Sequence, residues 1–470
     1  MPSSPVTSTE VKSETQSQFM SKVSKIPNEL LSEIFKLSTP KPITISPDLE
    51  SDDLPWALFG ICKKWRQIAT GMPELWTNII VEYEDDPSIP VANTSDPKFV
   101  TRVAHETLLR SGNAPLSLTV NSRKYNMDDQ TPLINLVVLH AHRIKHLKLN
   151  LYEQALQKLV SLPPLDFKVL QFLSVWCYDG AEESISCAVF EKAPLVIAEL
   201  NRYDWLPTQQ GSPSAHLTHL SISIDFDLTP IKAHGILNQI PHLVFLQIPV
   251  SADEEPEERD RIPFITYPSL NTLIVNCSQP ELLPEFFKPL ILPCLNRLEI
   301  TPSSWAPGVD NVDWGITSVL SKISSFPLLN IFAFTLPLPD NYDFNSYLLS
   351  IPKIVALELL TISESTLRLI SSGDLLPNLQ TLRVPVTSET IGIHWATVDD
   401  PADRHFKTQL IIYDHQLEKY LETNASEEEK KIIEELGDRE LLELAPHREN
   451  YTRVEEFVPY DLKPSNDYET

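Results

Sequence analysis

The sequence predicts an α/β repeat protein in which a short N-terminal helical segment precedes a long, irregular array of strand and helix units. Three observations lead to this prediction. Of the 470 residues, 42% are hydrophobic and 22% are charged, which is the composition of a folded globular chain. Apolar side chains recur at helical spacing between residues 26 and 76. From residue 144 to residue 384, a triplet of apolar residues returns at intervals of 22 to 34 residues.

The chain opens with a stretch that we expect to be a disordered leader, because residues 1–22 are rich in serine, threonine, proline and charge and lack periodicity. A compact helical segment, residues 23–80, follows. Its first half carries Leu31, Ile34 and Phe35 at helical spacing. The same spacing returns in its second half, after a stretch rich in proline, serine and aspartate. We therefore predict three short helices in this segment.

The repeat occupies residues 98–388. Each copy has the pattern apolar-x-x-apolar-x-apolar of a short strand, and the copies start at Ile144, Leu170, Leu195, Leu217, Leu243, Leu270, Leu295, Leu329, Ile354 and Leu379. Intervals near 25 residues lie in the range of leucine-rich repeats, in which each unit supplies one strand and a returning segment. The position three residues after each triplet lacks the asparagine or cysteine of regular repeats. We therefore predict an irregular leucine-rich-repeat solenoid, with the shape of a horseshoe.

Beyond residue 388 the triplet fades. Residues 406–423 are amphipathic, and Ser426 with Glu429 has the spacing of a capping box for a following helix. Acidic side chains outnumber basic ones in the remaining stretch. We therefore predict that residues 389–470 form an acidic C-terminal helical cap followed by a tail.

The charge of the chain restricts its partners. Lysine and arginine total 38 against 64 aspartates and glutamates, which gives a formal net charge of -26. Such a surface repels phosphate backbones and anionic lipid headgroups, so we expect no nucleic acid and no membrane as partner. The five cysteines form no C-x-x-C pair, which favours free thiols in a reducing compartment. Since no apolar run is long enough for a signal segment or a transmembrane helix, we expect a cytoplasmic or nuclear protein.

The sequence offers no set of residues with the spacing of a catalytic or cofactor site. The 11 glycines are too widely scattered for a phosphate-binding loop. His140, His142 and His146 lie close together, but no cysteine or carboxylate completes a zinc site at the usual spacing. No nucleophile elbow, zinc-protease or kinase signature occurs. We therefore expect no catalytic residue, no metal, no cofactor and no enzyme activity; a hydrolase with an unrecognised constellation is an alternative.

The helical segment contains three recognisable stretches. They are Ile26-Pro27 with Glu29-Leu30-Leu31 and Ile34-Phe35, then Ile61-Cys62-Lys63-Lys64-Trp65-Arg66, and finally Leu75-Trp76. In these residues the segment resembles an F-box, and the whole chain is similar to the F-box proteins with degenerate leucine-rich repeats of mushroom-forming fungi. The resemblance implies docking on the Skp-type adaptor of an SCF-type cullin-RING ubiquitin ligase. It implies adaptor contacts at Pro27, Leu30, Leu31, Ile34, Phe35, Leu58, Cys62 and Trp65.

Physical reasoning gives the same segment a docking role, because three short helices cannot bury all of their apolar side chains among themselves. The alternative is that the segment only caps the first repeat, in a scaffold without a ligase connection. On the docking hypothesis, the repeat array binds an unknown protein substrate for ubiquitination through outward-pointing strand residues. The candidates are Trp176, Lys148, Gln247, Asn276, Glu299, Glu358 and Arg383.

Overall fold

The computed structural model describes residues 26–38, 42–46, 56–83, 97–122, 127–178, 188–201, 216–223, 228–251, 264–302, 315–336, 344–360, 362–385, 407–413, 431 and 442–445. The chain divides into two compact units, Met1–Pro194 with Pro459–Thr470 and Leu195–Val458. Each unit is α/β, with helices between the strands of a parallel sheet. The predicted leader and the predicted capping box at Ser426 lie outside the described residues.

The first unit begins with a helical segment that contains one inserted strand. Its elements are α1 (Asn28–Ser38), β1 (Ile43–Ile45), α2 (Trp56–Ile61), α3 (Lys63–Thr70) and a 3-10 turn (Pro73–Trp76). Leucine, glutamate and lysine, which favour helices, dominate α1. Glu29 in its first turn and Lys36 in its last turn also complement the helix dipole. Gly71 ends α3, where its N–H donates to the carbonyls of Gln67 and Ile68.

Four more strands extend the sheet of the first unit in the order β1-β2-β3-β4-β5. The remaining elements of this unit are β2 (Asn78–Tyr83), α4 (Pro97–Arg110), β3 (Leu116–Ser122), α5 (Met127–His140), β4 (Ile144–Leu151), α6 (Glu153–Val160) and β5 (Phe172–Cys177). Buried and half-buried residues alternate along β3, where Leu116, Leu118 and Val120 face the core. The pairs β1–β2, β2–β3, β3–β4 and β4–β5 are all parallel, as strands joined by crossover helices must be.

The second unit repeats the same alternation over more strands. Its elements are β6 (Ile197–Leu200), β7 (His219–Ile222), α7 (Pro230–Gln239), β8 (Phe245–Val250), β9 (Ile265–Thr266), β10 (Thr272–Cys277), α8 (Leu283–Phe287), β11 (Leu290–Ile291), β12 (Arg297–Pro302), α9 (Ile316–Ser324), β13 (Ile331–Phe334), α10 (Phe344–Ser350), β14 (Ala356–Leu359), α11 (Glu364–Ser371), β15 (Thr381–Pro385), β16 (Lys407–Tyr413) and β17 (Leu442–Ala445). β9 and β11 form a separate parallel pair. The other strands follow the order β6-β7-β8-β10-β12-β13-β14-β15-β16-β17.

The predicted apolar triplets supply the strands of this sheet. The middle residue of each triplet lies beside the middle residue of the next, and this buried row runs through Leu220, Leu246, Leu273, Leu298, Phe332, Leu357 and Leu382. A parallel sheet can carry such an unbroken apolar row because the helices that connect its strands cover the row. The α/β class predicted from the sequence is therefore confirmed, and the strands form a large parallel sheet.

Asparagines form rungs at the start of three neighbouring strands. The carbonyl of Asn271 accepts hydrogen bonds from the amides of Asn296 and Arg297, at 2.8 and 3.0 Å. The carbonyl of Asn296 accepts in turn from Asn330 and Ile331, at 2.9 and 3.0 Å, and the Asn330 side chain donates to Oδ1 of Asn296. In regular leucine-rich repeats the expected position of asparagine is after the strand. The structure has it before the strand, at the residue that follows the first apolar position.

The sheet extends beyond the predicted repeat boundaries at both ends. β1 lies inside the segment predicted as purely helical, and β16 and β17 lie inside the predicted helical cap. Lys407–Tyr413 pairs in parallel with β15, and Leu442–Ala445 pairs with β16. The correction has a physical reason, since consecutive β-branched residues such as Ile411 and Ile412 favour extended backbone over the amphipathic helix that the spacing indicated.

His234 on α7 gives the second unit a predictable pH dependence. Its side chain is buried, and its ring stacks on Phe286 with centroids 5.4 Å apart. Burial lowers the pKa of His234 to about 4, against an opposing backbone contact at Phe286. In the unfolded chain the His234 ring becomes protonated near pH 6.5. In the folded chain it stays neutral until the pH falls to about 4.

We expect the free energy of unfolding to fall as the pH is lowered from about 6.5 to about 4, by up to about 3 kcal/mol for this histidine. The variant His234→Phe keeps an aromatic ring against Phe286 and removes the titration. Urea unfolding at pH 7 and pH 5 should therefore give a smaller difference for the variant than for the natural chain. Equal differences would contradict the assignment.

Candidate functional site

An apolar ridge runs along one side of α1. It consists of Leu30, Ile34 and Leu37, whose side chains are 57%, 44% and 81% exposed. At 3.6 residues per turn these positions fall within an arc of about 60°. Large exposed apolar side chains grouped in this way mark an interaction surface. We call these three residues the α1 ridge.

The α1 ridge is held in place by the opposite side of the same helix. Leu31 and Phe35 are fully buried there. The Phe35 ring packs edge-on against Trp65 of α3, with centroids 5.0 Å apart. Nζ of Lys64 donates to the carbonyl of Ile26 at 2.7 Å, which ties the start of α1 to α3. The helix therefore presents its exposed side from a fixed support.

The rim of the α1 ridge is polar and exposed. Glu33 and Lys36 form an ion pair of 3.4 Å at i,i+3 spacing on the solvent side of α1.

Ile61, at the end of α2, adds a further exposed apolar side chain to the helical segment. Arg66 donates from Nε and from a terminal nitrogen to the carbonyl of Phe59, at 3.1 and 2.6 Å, and so fixes the end of α2 against α3.

The eight residues predicted to contact an adaptor fall into two groups. Pro27, Leu30 and Ile34 are exposed, and Cys62 and Trp65 are half-buried. The other three, Leu31, Phe35 and Leu58, are buried in the core of the segment. The burial of these three side chains differs from the exposure that adaptor contacts would need, and the adaptor contacts of the eight residues stay a prediction.

Two exposed residues, Leu37 and Ile61, were missing from the predicted set. A signal for Leu37 was present in the sequence, because it continues the i, i+4, i+7 series that starts at Leu30. The spacing of Ile61 gave no such signal, because it lies on a different helix.

The predicted substrate residues of the first unit lie on a half-open sheet face. Lys148 and Trp176 are half-buried, on β4 and β5. Trp176 lies beside Asn150 in the register, and Nδ2 of Asn150 donates to Oδ1 of Asn121 at 2.6 Å. Nζ of Lys148 lies 5.4 Å from the centroid of the Phe172 ring. This face combines amide groups, one cation and one large aromatic ring.

The predicted substrate residues of the second unit are mostly covered. Gln247, Asn276, Glu299 and Glu358 are buried, and Arg383 is half-buried. Their burial differs from the open positions expected from the sequence. Alternation along a strand shows which side of the sheet a residue faces, but it does not show what covers that side.

The covered face carries hydrogen bonds and ion pairs between side chains of the strands. Nε of Arg297 donates to Oε1 of Glu299 at 2.6 Å. Oγ of Ser221 donates to Oε1 of Gln247 at 3.1 Å. Similar bonds join Thr301 to Asn276, and a charged pair at 3.9 Å joins Arg383 to Glu358. Three of these pairs join side chains of neighbouring strands, whereas Arg297 and Glu299 lie on the same strand, β12. The buried side chains are therefore engaged within the sheet, and their contact with a target protein stays a prediction.

The described residues hold few reactive groups. No cluster of three or more histidine, cysteine, aspartate or glutamate side chains there could hold a metal ion. Burial raises the pKa of Cys277 to about 12, which keeps its thiol protonated. Burial lowers the pKa of His140 and of His146 to about 4, and the charges of Arg143 and Lys145 respectively act in the same direction.

None of the described helices is both long and apolar enough to cross a bilayer.

Comparisons with known proteins give no family for this chain. No family model matches it, and no curated protein does. A solved structure of a Bacteroides fragilis protein, a target of the Northeast Structural Genomics Consortium, matches 77% of this chain and 86% of its own with 15% identity. Its TM-score is 0.32, so the match carries no argument about fold or function.

Proposed function

We propose that this chain is the substrate-recognition subunit of an SCF-type cullin-RING ubiquitin ligase. On this proposal, α1 to α3 form an F-box that docks on a Skp-type adaptor. The repeats form an irregular leucine-rich-repeat solenoid with the shape of a horseshoe, which binds a protein target in the cytoplasm or nucleus. The observation that carries the proposal is the α1 ridge, which remains exposed although its helix is packed on both α3 and the 3-10 turn.

The α1 ridge suits a groove in another protein. An amphipathic helix that binds a groove places side chains at i, i+4 and i+7, as Leu30, Ile34 and Leu37 are spaced. Full burial of one such side chain stabilises a complex by about 1.5 to 3 kcal/mol. The polar rim around the ridge would stay in contact with water, which is the usual arrangement of a protein interface.

No covalent step is assigned to this chain. Its contribution to ubiquitination is proximity, because one end binds the ligase while the other holds the target. A bound target reaches a high effective concentration near the conjugating enzyme without new chemistry. The half-open face that carries Lys148 and Trp176 is the part of the described sheet best suited to hold a target.

The double variant Leu30→Asp plus Ile34→Asp tests the proposal in the full-length chain. We expect it to weaken adaptor binding by roughly a hundredfold or more, since two apolar contacts are lost and two charges are buried. Binding is measured with a purified Skp-type adaptor by calorimetry. The chain should fold normally, because both positions are exposed.

Two leucines elsewhere in the first unit provide a matched control. Leu109 and Leu139 are 60% and 58% exposed near the ends of α4 and α5. The variant Leu109→Asp plus Leu139→Asp makes the same chemical change and should bind the adaptor as the natural chain does. Unchanged binding by the ridge variant would refute the docking role. Absence of adaptor binding by the natural chain would favour the scaffold without a ligase connection.

A further inference from the structure

Arg110, the last residue of α4, reaches back into the helical segment. Its guanidinium carbon lies 5.0 Å from the ring centroid of Trp56, 5.2 Å from that of Phe59 and 5.0 Å from that of Trp76. The three rings also pack on one another, with centroids 5.5 to 5.9 Å apart. Cation–π attraction of this kind operates within about 6 Å and strengthens when the cation is shielded from water. We call this group the Arg110 cage.

The Arg110 guanidinium is partly buried against these rings. Burial lowers the pKa of Arg110, against the opposing charge of Glu106. One of its terminal nitrogens has no hydrogen-bond partner among the described residues. For such a partly buried guanidinium, the faces of the three rings are a source of stabilisation.

The Arg110 cage is connected to the α1 ridge through buried contacts. Trp76 is fully buried, and its Nε1 donates to the carbonyl of Ala69 in α3 at 2.9 Å. α3 then holds α1 through the ring contact between Trp65 and Phe35. A path of contacts therefore runs from Arg110 through the Trp76 side chain and the backbone of α3 to the support of the ridge.

β1 makes a second, independent connection. It lies between α1 and α2 in the chain, and Ile43, Thr44 and Ile45 pair with residues 79–81 of β2. β2 pairs along its whole length with β3. α4 packs against β1, β2 and the 3-10 turn. The helical segment thus contributes the first strand of the sheet on which α4 rests.

We infer that Arg110 is a positioning residue that joins the helical segment to the first repeat, so that α1 to α3, β1 to β3 and α4 open and close as one cooperative unit. The segment is then not an autonomous docking module, although its sequence resembles one. Only the consequence for docking rests on the proposed function: the α1 ridge would be presented to its partner in one fixed orientation relative to β2 and β3.

Native-state hydrogen exchange of the full-length chain, measured without any partner, tests this inference. The variant Arg110→Met keeps an unbranched side chain and removes the cation. We expect amide protection to fall by about tenfold or more in α2, α3, β2 and α4, and by the same factor in each, because amides of one cooperative unit share one opening free energy. Protection lost in α4 and kept in α2 and α3 would overturn the inference.

Arg102 provides the matched control on the same helix. It is exposed and lies over the ring of Phe99, one turn away, at 5.7 Å. Arg102→Met should leave the protection of α2 and α3 unchanged, and an effect equal to that of Arg110→Met would overturn the inference. If Arg110→Met does not fold, Arg110→Lys keeps the charge without the planar group. It should give a smaller loss that is again uniform across the unit, and a loss confined to α4 would count against the inference.

Since exchange is measured without an adaptor, failure of the docking proposal leaves this result unaffected. Conversely, loss of binding in Leu30→Asp plus Ile34→Asp with unchanged exchange in α2 and α3 would support docking and say nothing against the Arg110 cage.

Discussion

Replacing Trp76 by alanine is expected to lower the free energy of unfolding of the first unit by about 3 to 5 kcal/mol. The indole is fully buried at the centre of the Arg110 cage, so its removal leaves a cavity between three helices. It also removes the hydrogen bond to the Ala69 carbonyl and one of the rings that stabilise the Arg110 guanidinium. Urea unfolding followed by circular dichroism measures the change.

Trp176 offers a control for the size of the side chain removed. It belongs to the same unit but is half-buried on the sheet face, so Trp176→Ala should cost distinctly less than Trp76→Ala. Equal losses from the two variants would contradict the large cost expected for Trp76→Ala. Because the chain divides into two compact units, the unfolding transition to compare is the one that involves the first unit.

Replacing Arg143 by methionine is expected to cost about 3 kcal/mol or more. Arg143 is buried, and its guanidinium donates to Oγ of Ser111 at 2.7 Å and to the carbonyls of Leu108 and Ala114 at 2.8 and 3.3 Å. A further contact of 3.2 Å joins it to Nδ1 of His140. Methionine fills the space but removes the donor to the Ser111 hydroxyl and to the Ala114 carbonyl. It leaves the Leu108 carbonyl, in the last turn of α4, with only the Ser111 hydroxyl as a donor.

Arg143→Lys separates charge from geometry at the same position. Burial lowers the pKa of Arg143, and a lysine there would be desolvated in the same way. Its single ammonium cannot reach acceptors that a planar fork reaches together, so we expect most of the loss to remain. Thermal unfolding compares the three chains, and a methionine variant as stable as the natural chain would disprove the capping role.

Much of the fold could be predicted from the sequence because the strands have a recognisable local pattern of apolar residues. The triplets that start at Leu270 and Leu295 have the period of a strand and end in β-branched residues, and they form β10 and β12. β1 was missed because its three residues lie between prolines and carry too little pattern. Ile43 and Ile45 form a strand because they pair with the edge of β2.

The candidate site could be predicted only in part. Leu30 and Leu31 are adjacent leucines in one helix, and the sequence does not distinguish the exposed one from the buried one. The distinction is set by α3, whose Trp65 covers Phe35 and with it that side of α1. For the same reason Glu299 appeared open in the sequence, although it is buried beside Arg297.

Arg110 could not be identified from the sequence at all. It stands at the end of an amphipathic helix, where a basic residue needs no explanation beyond the helix dipole. Its ring partners lie between 34 and 54 residues earlier in the chain, so no local spacing relates them.

The asparagine rungs have a consequence for how the chain could change in length. Asn271 and Asn296 each offer one carbonyl to two amides of the following strand, so the two junctions are interchangeable. Gain or loss of the whole stretch from one asparagine to the next would rejoin compatible ends and keep every hydrogen bond of this kind. An insertion within a strand would instead shift each later side chain to the opposite face. A whole repeat is therefore the step of length that these junctions can gain or lose without a change in the hydrogen bonds of their neighbours.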